Sequence, residues 1–97
     1  MTEVLMRARA RPGHEGKIES AAQSMFAAIR QEEPEGIRYT AYRSGDSFLI
    51  LLELQDGIEN PLPAIAAVRS FQEQLSGWLA EPPSMEQLTV VGGYRSF

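Results

Sequence analysis

The feature that most constrains this chain is an uninterrupted apolar run at residues 48–52, Phe-Leu-Ile-Leu-Leu. The run lies in a segment, residues 47–54, that pairs with residues 37–43 as a predicted hairpin across Ser44-Gly45-Asp46. A strand that is apolar on both sides is buried on both faces, whereas a sheet with one solvated face alternates apolar and polar residues. The sheet containing this strand must therefore be covered on both sides.

Hydrophobic periodicity predicts the remaining elements. Alternation before Pro12-Gly13 predicts a first strand, and apolar residues at steps of three and four predict two amphipathic helices. Prolines at 61 and 63 are typical of a helix entrance. The predicted elements are strands at 3–11, 37–43, 47–54 and 86–94 and helices at 14–31 and from 61 to 79, with a bulge or a close backbone approach at Gly92-Gly93.

The order of these elements is β-α-β-β-α-β, which predicts an α+β, ferredoxin-like fold. Right-handed crossovers then give a four-stranded antiparallel sheet in the order 4-1-3-2, with both helices on one face. Because helices cover only that face, we expect a second copy of the chain to cover the other. The sequence therefore predicts a homodimer.

Composition narrows the class of protein. The 97 residues are the size of one domain, and we expect residues 1–97 to form a single unit. The absence of cysteine excludes disulfides and thiolate sites and favours a cytoplasmic location, and no apolar run is long enough to predict a membrane partner. A net charge of -4 argues against nucleic acid as a partner.

The middle hairpin resembles that of antibiotic biosynthesis monooxygenase domains. The residues that carry this resemblance are Pro34, Glu35, Gly36, Tyr39, Asp46, Phe48 and Glu53. It implies a dimeric α/β barrel, formed by two ferredoxin-like subunits packed sheet to sheet, with a pocket in each subunit between the sheet and its helices or loops. Members of that family include oxygenases that need no cofactor and act on phenols and quinols, and also haem-degrading enzymes.

The catalytic residues of the family do not transfer directly. Haem-degrading members use an Asn on the first strand with a Trp and a His, but this first strand has no Asn, and the only histidine is His14. Polyketide-oxidising members pair an Asn with a nearby Trp; Asn60 lies at a comparable place, but Trp78 lies near the end of the second helix. We therefore expect no haem, no metal site and no cofactor, and we assign no catalytic residue.

Arg7, Arg9 and Glu53 form the first candidate ligand-binding group, because both arginines share one face of the first strand and Glu53 lies on the adjacent third strand. One interpretation is a charged floor in the pocket that orients a phenolate or carboxylate. The other is an arginine–glutamate pair that only neutralises an acid at the sheet centre or dimer contact.

Tyr42 and Trp78 complete the candidate ligand-binding set. Tyr42 is expected on the same face as the arginines. A second tyrosine, Tyr39, is expected to point toward the helices, and either phenol could position an aromatic ligand or simply pack. Trp78 fits the apolar stripe of the second helix, which favours a core role over a catalytic one.

Two functional hypotheses remain open. The first is a cofactor-independent monooxygenase for a small phenol, quinol or polyketide-like aromatic, in which Arg7 or Arg9 stabilises the substrate anion and Tyr42 positions it. The second is a non-catalytic dimeric domain that binds a small ligand or has a structural role.

Overall fold

The computed structural model describes residues 2–94 and contains four strands and two α-helices. The order of elements along the chain is β1 (Thr2–Arg9), α1 (Glu15–Glu32), β2 (Ile37–Ser44), β3 (Ser47–Leu54), a 3-10 turn (Leu62–Ala64), α2 (Ala66–Trp78) and β4 (Ser84–Leu88). The strands form one antiparallel sheet in the order β2-β3-β1-β4. This confirms the predicted ferredoxin-like fold and strand order.

The core lies between one face of the sheet and the two helices. Ile18 and Met25 of α1, Val68 of α2 and Phe48 and Ile50 of β3 are all at most 5% exposed. Each fully buried side chain of this kind contributes about 1.5–3 kcal/mol through removal of apolar surface from water. The apolar faces of the two helices, predicted from hydrophobic periodicity, are therefore the faces that pack on the sheet.

The opposite face of the sheet carries no helix, and we call it the open face. The strand registers bring the following residues to it: Glu3, Leu5, Arg7 and Arg9 of β1, Arg38, Thr40, Tyr42 and Ser44 of β2, Ser47, Leu49, Leu51 and Glu53 of β3, and Ser84, Glu86 and Leu88 of β4. At its centre Leu51 pairs with Leu5 on one side and Thr40 on the other. These side chains are only partly buried in the single chain, so the apolar centre of β3 has one uncovered face.

The prediction for the last strand was wrong at both ends. β4 begins at Ser84, directly after the two prolines, and ends at Leu88 instead of continuing to residue 94. The physical reason is the register. Leu88 pairs with Glu3, the second residue of β1, so residues beyond Leu88 have almost no partner strand left to pair with. Gly92-Gly93 is consequently not a strand bulge, and Val91 beside it is fully exposed.

The predicted ends of β1 and α2 also need correction. β1 ends at Arg9, and Ala10 forms an isolated bridge with Leu79, the residue after α2. The prolines form a separate 3-10 turn, and extended backbone at Ile65 separates it from α2. This short turn, instead of a longer helix, shapes the loop beside the sheet.

The end of α1 gives a stability prediction. Glu33 caps the helix in the left-handed region, at φ 48° and ψ 52°, and its N–H donates to the carbonyl of Ile29. Because a Cβ is unfavourable in that region, Glu33→Gly is expected to raise the free energy of unfolding by about 0.5–1 kcal/mol. Glu32→Gly, one residue earlier within the helix, removes the same charge and is expected to lower it by a similar amount. Urea denaturation measures the free energy of unfolding of both variants. If both variants shifted it equally in the same direction, the left-handed backbone at Glu33 would not be the cause.

Candidate functional site

A partly enclosed cavity lies on the helix side of the sheet, next to the loop that enters α2. Its volume is about 120 Å³. Its lining residues, which define the helix-side cavity, are Val4, Met6, Tyr39, Ile50, Leu52, Asn60, Leu62, Pro63, Gln72 and Met85. Tyr39, Asn60 and Gln72 have polar side chains, and the other lining residues have aliphatic or methionine side chains.

Asn60 is held in place by the loop that it terminates. Its Oδ1 accepts a hydrogen bond of 3.0 Å from the backbone N–H of Leu62, so the asparagine forms an Asx-turn at the entrance to the 3-10 turn. With that oxygen engaged, the Nδ2 amide group is the donor that Asn60 can offer to a molecule in the cavity. The position of this donor is thus determined by the same bond that anchors the loop.

Tyr39 supplies the second polar group. Its ring packs against Phe26 of α1 with ring centroids 5.3 Å apart, which orients the side chain between sheet and helix. Its hydroxyl makes no hydrogen bond with any other residue in the described range 2–94. Burial raises the pKa of the Tyr39 phenol above its usual value, so the group is neutral at physiological pH and acts as a hydrogen-bond donor or acceptor.

Gln72 of α2, itself exposed, supplies the third polar group, and Met85 of β4, which also lines the cavity, is 66% exposed. None of the residues that line the helix-side cavity carries a formal charge at neutral pH. The arrangement can therefore hold an apolar ring between aliphatic walls and hydrogen-bond its polar substituents. It supplies donors that stabilise developing negative charge, but it supplies no ionised general base.

The two predicted arginines do not line this cavity. Arg7 and Arg9 project from the open face, on the other side of the sheet, and their side chains are 55% and 54% exposed. Arg7 Nε contacts Glu86 Oε1 at 3.1 Å, and Arg9 Nε lies 3.6 Å from Glu81 Oε1. Exposed pairs of this kind contribute little to stability. Arg7 and Arg9 therefore form no charged floor in the helix-side cavity, which lies on the opposite face, and a role for them in binding a ligand stays a prediction.

Glu53 is also separated from both arginines. The register pairs Glu53 with Glu3 and Arg38, whereas Arg7 pairs with Leu49 and lies two open-face rows away. The register therefore does not place Glu53 next to Arg7 or Arg9, and a role for Glu53 in binding a ligand stays a prediction. The strand order was correct, but only the register determines which residues on neighbouring strands are adjacent.

The two aromatic residues predicted to bind a ligand, Tyr42 and Trp78, lie away from the helix-side cavity and away from each other. Tyr42 is on the open face, as predicted, and is 54% exposed beside a shallow depression that it shares with Arg43 and Glu19. Trp78 ends α2 and packs partly buried against the core in the groove between α1 and α2. Neither residue lines the helix-side cavity.

Sequence reasoning placed Tyr39 correctly toward the helices and noted Asn60, but it selected neither, and it missed Gln72 and Met85. Gln72 follows the buried Val68 by four residues, so a polar side chain bordering an apolar stripe was the available signal. Met85 was missed because the last strand was predicted to begin one residue after it.

His14 immediately precedes α1, and its Nδ1 lies 3.3 Å from the carbonyl oxygen of Pro12. Within residues 2–94, no three His, Cys, Asp or Glu side chains are close enough together to hold a metal ion. Neither α1 nor α2 has the length and hydropathy that a membrane-spanning helix requires.

Comparison with known proteins identifies the fold. No sequence family and no curated protein matches the chain. Among solved structures, a protein of Nitrosomonas europaea named as a candidate antibiotic biosynthesis monooxygenase is 15% identical, with 95% of this chain and 100% of that chain covered and a TM-score of 0.75. A protein of Mycobacterium tuberculosis is 19% identical, with 97% and 98% covered and a TM-score of 0.75.

A further structure named as an antibiotic biosynthesis monooxygenase is 12% identical, with 95% of this chain and 100% of that chain covered and a TM-score of 0.72. At these identities the similarity establishes the shared fold. The resemblance predicted from the middle hairpin is thus supported over nearly the whole chain.

Proposed function

We propose that the protein oxygenates a small phenol or quinol with O2, without a metal or flavin, in the helix-side cavity. The observation that carries the proposal is a partly enclosed, mostly apolar cavity whose three polar groups, Tyr39, Asn60 and Gln72, are neutral hydrogen-bonding side chains. Apolar pockets with a few convergent polar groups are the usual form of small-molecule sites. The structural neighbours named as monooxygenases favour oxygen chemistry over other reactions on this fold.

The volume of the cavity favours a substrate with one ring. An apolar cavity of roughly 150 Å³ admits benzene, and the helix-side cavity, at about 120 Å³, is of similar size. A fused polycyclic substrate would need the wall near Met85 to move outward. The proposed substrate is therefore a monocyclic phenol or hydroquinone, with its hydroxyl groups directed at the three polar side chains.

In the proposed reaction the substrate provides all the electrons. One O2 converts a phenol to a quinone and one water, or a hydroquinone to a hydroxyquinone and one water; one oxygen atom enters the ring product and the other leaves as water. The phenolic proton passes to solvent, since no lining residue is an ionised base. The Nδ2 of Asn60 and the amide of Gln72 stabilise the resulting oxyanion, and the neutral Tyr39 hydroxyl orients it.

A second function, non-catalytic binding of a small aromatic ligand, is favoured by one observation. The helix-side cavity contains no group that is ionised at neutral pH, so only a substrate that loses its own proton readily would react there. A ligand with a less acidic hydroxyl would bind without turnover.

We further propose that the protein is a homodimer whose two open faces pack together. Leu5, Leu49 and Leu51 form the centre of a face that no helix covers, and charged residues lie mainly toward its ends. Covering such a face with a second copy removes apolar surface from water and requires no other partner.

Oxygen uptake tests the proposed reaction. Metal-free protein is mixed with hydroquinone, catechol or a substituted phenol in the presence of a chelator, and the rate is compared with autoxidation of the same compound alone. We expect protein-dependent uptake of one O2 per ring consumed and incorporation of one labelled oxygen atom from labelled O2. Saturable binding without uptake would favour the non-catalytic alternative, and absence of both binding and uptake would reject the site.

A further inference from the structure

Gly36 lies just before β2, in the segment Pro34-Glu35-Gly36, which is outside the lining of the helix-side cavity. Its backbone is in the left-handed region, at φ 78°, where a residue with a Cβ is strained. A Cβ built on Gly36 would also lie 2.8 Å from Cγ1 of Ile58. That distance is well inside the separation of about 3.5–4.0 Å at which carbon atoms pack. Both the backbone conformation and the neighbouring side chain therefore require glycine at this position.

Ile58 is brought to this place by the loop that follows β3. The N–H of Gln55 donates to the carbonyl of Gly36 at 2.9 Å, which extends the pairing of β2 with β3 by one bond. The N–H of Ile58 then donates to the carbonyl of Gln55 at 3.2 Å, and this bond closes a turn that returns the chain to Gly36. Although Ile58 is 40% exposed, its side chain is therefore seated directly on the glycine backbone.

The segment from Ile58 to Leu62 is held at both ends, and Asn60 lies between them. At the far end Leu62 is 4% exposed, and its N–H donates to Asn60 Oδ1 at 3.0 Å. Pro61, directly after Asn60, has a fixed φ, which further limits the conformations of the segment. So short a segment has few ways to join two fixed points. A displacement of Ile58 is therefore transmitted to Asn60.

We propose that Gly36 and Ile58 are positioning residues for Asn60, and this inference rests on the proposed function, in which Asn60 Nδ2 stabilises the substrate oxyanion. Neither residue lines the helix-side cavity. The packing of Ile58 on Gly36 instead sets where the loop, and with it the Nδ2 donor, stands relative to the cavity. Because a misplacement of about 1 Å can cost roughly 100-fold in rate, a shift of a few tenths of an ångström is expected to cost about tenfold.

Gly36→Ala in the full chain tests the proposal, because the added methyl group must push Ile58 away. We expect the Nδ2 proton resonances of Asn60 to shift in nuclear magnetic resonance spectra. We also expect kcat for hydroquinone to fall about tenfold while KM changes by less than about twofold, since the interaction that is lost forms with the developing oxyanion. A change that only loosened the fold would lower the thermal midpoint without this division between kcat and KM.

Gly45→Ala is the matched control. Gly45, in the turn between β2 and β3, also has a left-handed backbone, at φ 62°, but a Cβ built there has no atom of a non-adjacent described residue within 4 Å. The control therefore introduces comparable backbone strain without the contact. Both variants should lower the thermal midpoint, whereas Gly45→Ala should leave the Asn60 resonances in place and change kcat by less than about twofold.

Ile58→Ala provides a second, independent variant, and it is expected to fold because Ile58 is partly exposed. It removes the three carbons that the methyl group at position 36 would meet, so Gly36→Ala combined with Ile58→Ala should be about threefold more active than Gly36→Ala alone.

Two results would overturn the proposal: Asn60 resonances that stay in place in both single variants, or equal losses of kcat in Gly36→Ala and Gly45→Ala. A wild-type protein that does not oxidise hydroquinone would reject the proposed function instead. The Asn60 resonances are read without turnover, so the two failures are distinguishable. If Gly36→Ala did not fold, Ile58→Ala alone would still have to shift the Asn60 resonances.

Discussion

Leu51→Asp is expected to abolish the homodimer. Leu51 lies at the centre of the open face, between Leu5 and Thr40, where the proposed dimer would bury it completely. An unpaired carboxylate buried there costs several kcal/mol, which exceeds what one side chain contributes to association. Light scattering at micromolar concentration should show the mass falling from about twice 10.8 kDa to a single chain, or the variant should be unfolded.

Gln74→Asp is the control, because it adds the same charge on the exposed side of α2 and should leave the dimer unchanged. To separate dissociation from unfolding, circular dichroism should be recorded for both variants. A Leu51→Asp protein that remains a well-folded dimer would reject the open face as the contact. A wild-type mass of one chain would reject the dimer itself.

Asn60→Asp is expected to reduce turnover of a phenol or quinol by about 100-fold, the usual effect of removing one donor to a developing oxyanion. Aspartate retains an oxygen that can accept from the Leu62 N–H, so the Asx-turn and the loop should persist. The change replaces the Nδ2 donor by negative charge in a cavity that otherwise has none. Steady-state oxygen uptake measures the rate, and the thermal midpoint measures the stability.

Asn60→Ala provides the comparison. It removes both the donor and the hydrogen bond to the Leu62 N–H, so turnover should fall and the free energy of unfolding should decrease by about 1 kcal/mol. If Asn60 had only a structural role, the aspartate variant would retain wild-type activity and only the alanine variant would be impaired. That result would exclude the helix-side cavity as the site of reaction.

The sequence was sufficient for the fold because the decisive signals are local. The spacing of apolar residues predicted both helices and their buried stripes, and the turn at Gly45, which has φ 62°, predicted the central hairpin. The double-sided apolar pattern of residues 48–52 correctly indicated a strand with an apolar open face. The order of strands followed from connection rules that hold for most folds of this type.

The ends of elements were less predictable because they depend on partners distant in the sequence. β4 ends where it reaches the start of β1, although the residues that follow Leu88, Thr89 to Val91, are types that favour strands. The chain after α2 is extended because Leu79 bridges Ala10, which no pattern near residue 79 indicates. Both features are consequences of pairing across the sheet.

For the candidate site, the sequence by itself determined which face of each strand a residue occupies, and this held for Arg7, Arg9, Tyr39 and Tyr42. Only the tertiary structure decided that the partly enclosed cavity lies on the helix side, that Asn60 and Gln72 meet Tyr39 there, and that Glu53 is separated from the arginines. The physical reason is that alternation along a strand is a local property, whereas the contents of a cavity depend on register and loop conformation, which arise from contacts between distant segments.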